Sequence, residues 1–215
     1  MAKDVGNIMI AETILLIGAI LGWRFMDSWV FPITTVVIVC LMILTLYFFR
    51  DPDRVIPTGE GLVVSPADGR IVRVEESVSL PMYMVPAKMV AIFLSLGDVH
   101  INRVPISGRV VSLEYSPGCY RPAFTHRSSE CNEQQLVGIK GAMGKVYIKQ
   151  IAGMVARRIV CRLRVGDRIR RGERFGMIKF GSRIELFLPS SVMLKVSEGD
   201  RVRGGESIIG VNHDV

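Results

Sequence analysis

The sequence predicts a mostly β body, a sandwich or barrel built from hairpin repeats, preceded by an α-helical hydrophobic hairpin. Three observations carry that expectation. Residues 28–49 run for 22 positions without a charged side chain. Beyond residue 54 the chain changes to short alternating runs bounded by Gly, Pro, Asn and Asp, the pattern of half-buried strands and tight turns. An eight-residue unit also recurs near the C-terminal end. With 215 residues, 49% of them hydrophobic, the chain is long enough for one ordinary domain and an appendage, and too apolar for a disordered tail.

The anchor comes first. At about 1.5 Å per residue, residues 28–49 reach roughly 33 Å as a helix, the thickness of a bilayer core. The preceding run, 5–23, is interrupted by Glu12, but Trp23 stands where an interfacial aromatic would. A hairpin turning near residues 24–27 joins the two. A signal peptide is the competing reading of the first run, yet no small-x-small cleavage site precedes the longer second segment. Arg50, Arg54, Arg70 and Arg73 follow the second helix, against Arg24 in the turn, so the body is expected on the cytoplasmic face of the cell membrane.

Charge divides at the same boundary. Residues 1–54 hold four Lys/Arg against five Asp/Glu, which leaves 23 against 15 and a balance of +8 beyond them. A basic body is drawn to nucleic acid or to anionic headgroups, and the anchor selects lipid and excludes nucleic acid. The domains are thus 1–54, hairpin and linker, and 55–215, body. Cys40, Cys119, Cys131 and Cys161 are widely spaced, without zinc-ligand spacing, and read as free thiols with no metal.

In the body, strands are expected at 70–74, 89–96, 109–115, 145–151, 159–163, 177–180, 183–187, 192–196 and 207–211, with 152–160 open between strand and short helix. The repeat is Gly166-Asp167-Arg168-Ile169-Arg170-Arg171-Gly172-Glu173, matched at six of eight positions 33 residues later by Gly199-Asp200-Arg201-Val202-Arg203-Gly204-Gly205-Glu206. Gly-Asp ahead of an alternating segment makes a tight turn that the carboxylate caps. Such hairpins resemble the barrel-sandwich hybrids of lipoyl and biotinyl carriers, without their lysine at a hairpin tip.

Three constellations can carry chemistry. Ser65-Pro66-Ala67-Asp68-Gly69-Arg70-Ile71 pins an aspartate at the mouth of a strand. Asp98-Val99-His100-Ile101-Asn102-Arg103 gathers an acid, an imidazole and a guanidinium just past an apolar strand. His100 has the greater weight among three histidines, because imidazole titrates near neutrality and serves as general acid or base; His126 stands in a polar loop and His213 near the end of the chain. Phe180-Gly181-Ser182-Arg183 holds the sole Gly-Ser dipeptide of the sequence, which taken alone is a hairpin turn.

Occurring together and in this order, with the 130–133 stretch ahead of a Gly-rich hairpin, these motifs resemble the phosphatidylserine decarboxylase proenzymes of the short class, a pyruvoyl-dependent family. The resemblance runs over nearly the whole chain from about residue 50. It implies that the Ser182 hydroxyl attacks the Gly181 carbonyl, and that elimination and hydrolysis leave residues 1–181 as a large β chain and a pyruvoyl-capped 182–215 as a small α chain. The cofactor is thus a pyruvoyl group derived from Ser182. Decarboxylating an amino acid needs an electron sink conjugated to its amine, which a ketone provides. The resemblance further implies an Asp-His-Ser arrangement with Asp68 as orienter and His100 as base, and phosphatidylserine in an anionic membrane as substrate, giving phosphatidylethanolamine.

Two departures qualify the match. Longer members carry a second histidine where this chain has Arg103, so Arg103 is expected to bind the substrate phosphate or carboxylate. The family's Asn-Glu-Arg reads Asn132-Glu133-Gln134 here. The expected assembly is the pair of cleaved chains, in one copy or in a higher homo-oligomer. Two other readings stay open at this point: a non-enzymatic membrane-tethered adaptor or carrier, and a sister decarboxylase acting on the ether lipid archaetidylserine.

Overall fold

A computed structural model describes the whole chain except Met1, Asp27, residues 79–85, 122–127, 154–158, 179–181 and the last two. The chain divides into two compact units, Met1–Asp51 and Pro52–Val215. In the first, α1 (Ala2–Phe25) packs on α2 (Val30–Phe48). Gly22 permits their close approach, since a Cβ there would run into the Phe31 ring. Glu12 Oε1 accepts a hydrogen bond from Thr45 Oγ1 at 2.8 Å, between the two helices. The apolar side chains of both helices remain largely exposed, and both helices are long and apolar enough to cross a membrane.

The regular structure of the second unit is almost entirely strand. In chain order it holds β1 (Leu62–Val64), β2 (Gly69–Val78), β3 (Ala87–Leu94), β4 (Ile101–Arg103), β5 (Gly108–Ser116), α3 (Ser128–Cys131), β6 (Gln134–Gly141) and β7 (Gly144–Ile151), then β8 (Ile159–Cys161), β9 (Arg168–Ile169), β10 (Arg174–Ile178), β11 (Ser182–Pro189), β12 (Met193–Leu194), β13 (Arg201–Val202) and β14 (Ile208–Val211). An eight-stranded sheet runs β13-β2-β3-β11-β7-β6-β5-β9, and two three-stranded sheets run β4-β10-β8 and β1-β14-β12. The fold class is the one expected, mostly β with an apolar helical hairpin ahead of it.

β11 sits near the middle of the large sheet, one face apolar and the other burying an Arg183–Glu185 ion pair beside Phe187. It pairs antiparallel with β3 along all eight residues, from Ser182 opposite Leu94 to Pro189 opposite Ala87, and with β7 on its other side. Ile184, Leu186 and Leu188 alternate into the main core with Val90, Ile92 and Leu94 of β3. Phe187 turns the other way and packs with Met89, Ala91 and Tyr147.

The sequence repeat is a structural repeat. Gly166 and Gly199 adopt φ of 99° and 95°, and Asp167 and Asp200 accept the backbone N–H three residues earlier, from Arg164 and Ser197. The two units supply β9 and β13, which close opposite edges of the large sheet.

Several strand boundaries differ from expectation. The strand placed at 177–180 is β10 and starts at Arg174, because residues 174–177 pair with β4. The one placed at 192–196 shortens to two residues, and the one at 159–163 to three. β1, β4, β6, β9 and β13 were not anticipated. All but β6 are two or three residues long and exist through a partner distant in sequence, so local alternation cannot announce them. The open question at 152–160 falls largely outside the described residues.

Candidate active site

Strand register brings two of the singled-out segments to one end of the large sheet. In β2, Arg70 is opposite Phe93 of β3, and Phe93 is in turn opposite Arg183 of β11. The next step out places Leu94 beside Ser182. Asp68, two residues before Arg70, therefore stands at the same sheet end as Ser182, two strands away, or about 10 Å at ordinary strand spacing. The Pro-Ala-Asp-Gly turn that carries Asp68 depends on Gly69, where any Cβ would run into the Phe93 carbonyl oxygen.

β4 supplies the third segment. Arg103 N donates to the Pro66 carbonyl at 2.8 Å, so β4 lies against the loop bearing Asp68. Ile101 pairs with Met177 of β10, which sets His100 beside the end of that strand. The chain leaves β10 at Ile178 in one sheet and enters β11 at Ser182 in another. Gly181 and Phe180, like His126, lie outside the described residues.

Ser182 is fully buried, and among the described residues its Oγ has no hydrogen-bond partner. His100 is fully buried too, and its Nδ1 lies 2.9 Å from the Asp98 carbonyl oxygen. A carbonyl can only accept, so Nδ1 carries the hydrogen, and Nε2 is the nitrogen at which the ring gains or loses a proton. Asp98 itself closes a turn, its carboxylate accepting from Ser95 N at 2.8 Å and Ser95 Oγ at 2.6 Å.

The expected orienter has other partners. Asp68 Oδ2 accepts from Arg54 at 2.7 Å and Oδ1 from the Gly204 N–H at 2.8 Å, and among the described residues no hydrogen bond joins Asp68 to His100. The group at His100 Nδ1 is the Asp98 carbonyl. Arg103, 6% exposed, gives Nη1 to the Gly172 carbonyl at 3.1 Å and Nη2 to the Pro52 carbonyl at 3.2 Å.

Sequence reasoning passed over a polar pair beside these groups. Gln150 Nε2 donates to Asn102 Oδ1 at 2.7 Å, both side chains are fully buried, and Asn102 Nδ2 and Gln150 Oε1 are left without partners. Gln150 is opposite Ile184, two residues along β11 from Ser182 and on its face of the sheet. A single Asn or Gln carries no signal in sequence, so only the packing reveals them. Arg54, read from sequence as linker, is the other omission.

On the opposite face of β11, Arg183 Nε meets Glu185 Oε1 at 3.1 Å, and Ser129 Oγ donates to that carboxylate at 2.6 Å. Burial pulls the Arg183 guanidinium below its ordinary pKa and nearby Arg73 adds to this, while Glu185 and Glu75 work against it. Asn132 ties three segments by accepting from Arg121 N and donating to the Arg121 and Ala152 carbonyls.

The site thus holds a buried hydroxyl without a hydrogen bond among the described residues, an imidazole whose Nδ1 hydrogen is taken by a carbonyl, and a carboxylate held by a guanidinium, groups able to serve as nucleophile, base and charge partner. The residues also suit a prosthetic group made from Ser182, because turning its hydroxyl into a ketone removes a buried donor that has no acceptor among the described residues. The family model described as phosphatidylserine decarboxylase matches residues 41–210, a span that contains Asp68, His100 and Ser182. A phosphatidylserine decarboxylase proenzyme of Syntrophus aciditrophicus is 44% identical over 187 residues, covering 86% of this chain and 85% of that protein. Proteins of the same name from the Wolbachia of Brugia malayi and from Chlorobaculum tepidum are 47% and 46% identical, covering 86% and 79% of this chain and 81% and 78% of theirs. By that match and those relatives, the chain belongs to the phosphatidylserine decarboxylase family.

Proposed function

We propose that the chain cuts itself between Gly181 and Ser182, turns Ser182 into a pyruvoyl group and decarboxylates phosphatidylserine to phosphatidylethanolamine. The observation that carries this reading is the Ser182 hydroxyl, buried and without a hydrogen bond among the described residues, at the first residue of a strand paired on both sides. Family membership supports the reaction, and the proenzyme names of the relatives support the processing.

In the processing step the Ser182 Oγ forms a bond to the Gly181 carbonyl carbon as the C–N bond breaks, and His100 Nε2 takes the hydroxyl proton and passes it to the departing amine. A glycine at 181 leaves that carbonyl open to attack. His100 then removes the α-hydrogen of residue 182, elimination frees the Gly181 carboxylate, and water releases ammonia and leaves the ketone. Asp68 supplies fixed negative charge near the imidazolium that forms along the way. The pyruvoyl ketone, conjugated to the substrate amine, is a sink for the electron pair left when CO₂ departs. His100 returns a proton to the carbon that lost CO₂. Arg103 is the contact for a headgroup anion, a role that exchanges neutral carbonyl acceptors for a charged one.

The two apolar helices sit in the cell membrane in this reading, with the +8 body on the cytoplasmic face where anionic lipid concentrates it. Denaturing mass analysis of the purified protein tests the processing. The expected species are residues 1–181 and 182–215, the smaller lacking a free amine and reacting with carbonyl reagents. Incubation with phosphatidylserine vesicles tests the reaction, with ethanolamine lipid as the product. An intact chain in material that is fully active excludes the proposal.

A further inference from the structure

Arg54 lies in unbroken linker sequence, yet its side chain is 7% exposed and its guanidinium meets two carboxylates. Nη2 is 2.7 Å from Asp68 Oδ2, and Nη1 is 3.2 Å from Glu206 Oε2. The other Glu206 oxygen accepts from the Val55 N–H at 3.2 Å. Asp68 Oδ1 takes the N–H of Gly204 at 2.8 Å. Asp68 and Arg54 precede the cut between 181 and 182; Gly204 and Glu206 follow it.

The sequence repeat shows that this contact is specific to one of its two units. In the first unit Glu173 turns back to accept from its own Arg170 N–H at 3.0 Å. In the second, the equivalent Glu206 reaches out to residues 54 and 55. Where the first unit has Arg171, the second has Gly204, and a Cβ there would press on Ala67 at 3.1 Å and on Asp68 Oδ1 at 3.3 Å. Both departures from the repeat serve the carboxylate of Asp68 and the guanidinium beside it.

Resting on the processing reading above, we propose that Arg54 is a positioning residue that fixes the Asp68 carboxylate and joins the two chains across the cut by binding Glu206 of the small one. Its planar fork fits two carboxylates at once, which a point charge does less well. The linker is thereby part of the active-site support, and the small chain's 203–206 turn is held by residues 54 and 55 of the large chain.

The test uses the full-length chain in detergent. Processing is followed by mass analysis for wild type, Arg54→Gln, Arg54→Lys and Glu206→Gln. Arg54→Gln is expected to cleave about 100-fold more slowly, the scale of a misplaced catalytic group. Arg54→Lys, which keeps the charge, is expected within about tenfold of wild type. Glu206→Gln is expected to cleave but to release its small chain at a lower urea concentration. Wild-type cleavage rates in Arg54→Gln overturn the positioning role, as does its failure together with an equal failure of Arg54→Lys, which marks a packing defect. Unchanged urea release in Glu206→Gln overturns the joining role. A wild-type chain that stays whole in active material overturns the processing reading and this one with it.

Discussion

Ser182 Oγ is buried without a partner, which costs about 1–3 kcal/mol relative to a satisfied hydroxyl. A nucleophile that is not tied into a hydrogen bond has less to give up on attack. Replacing it removes both the cost and the chemistry, so Ser182→Ala should leave a single 215-residue species on mass analysis while unfolding in urea no earlier than wild type. His100→Ala should slow processing by roughly 100- to 10,000-fold, the usual weight of a general base, followed by the appearance of the small chain over time. Asp68, His100 and Ser182 stand out in the sequence because their residue types and motif order carry chemical meaning. What was not legible is what surrounds them. The acceptor at His100 Nδ1 is a backbone carbonyl, which every residue possesses, and the ion pair of Arg54 with Glu206 spans 152 positions.

β11 is the element on which the site depends. Its inward residues Ile184, Leu186 and Leu188 are fully buried in the main core, and its backbone is paired on both sides. Ile184→Ala should therefore cost about 2–5 kcal/mol, measured by urea unfolding on a Ser182→Ala background so that cleavage does not confound the curve. The long strands β2, β3, β5, β7 and β11 were readable from alternation and β-branched content. Short β1, β4, β9 and β13 were not, and neither was the long β6; β1 exists only against β14 and β4 only against β10. The repeat was readable as two turns; that the turns cap opposite edges of one sheet follows from topology that no local pattern records.

At the scale of the whole molecule, pH reports on how the C-terminal turn is held. Burial works to raise the Glu206 carboxyl, but the Val55 N–H, Arg54 and Arg203 outweigh it and hold the group below the ordinary carboxylate range. A lowered folded value means stability that is complete above the unfolded value and is lost as pH falls through the folded one. Unfolding midpoints recorded from neutral to acid should accordingly drop more steeply for wild type than for Glu206→Gln. The central place of β11 has a different consequence. The strand that begins with the reactive residue is flanked by β3 and β7 before any bond is cut, so a chain whose sheet has not closed lacks the surroundings that activate the hydroxyl. If the chain matures as proposed, maturation doubles as quality control: only correctly assembled copies acquire a carbonyl able to react with cellular amines, and misfolded ones remain chemically harmless.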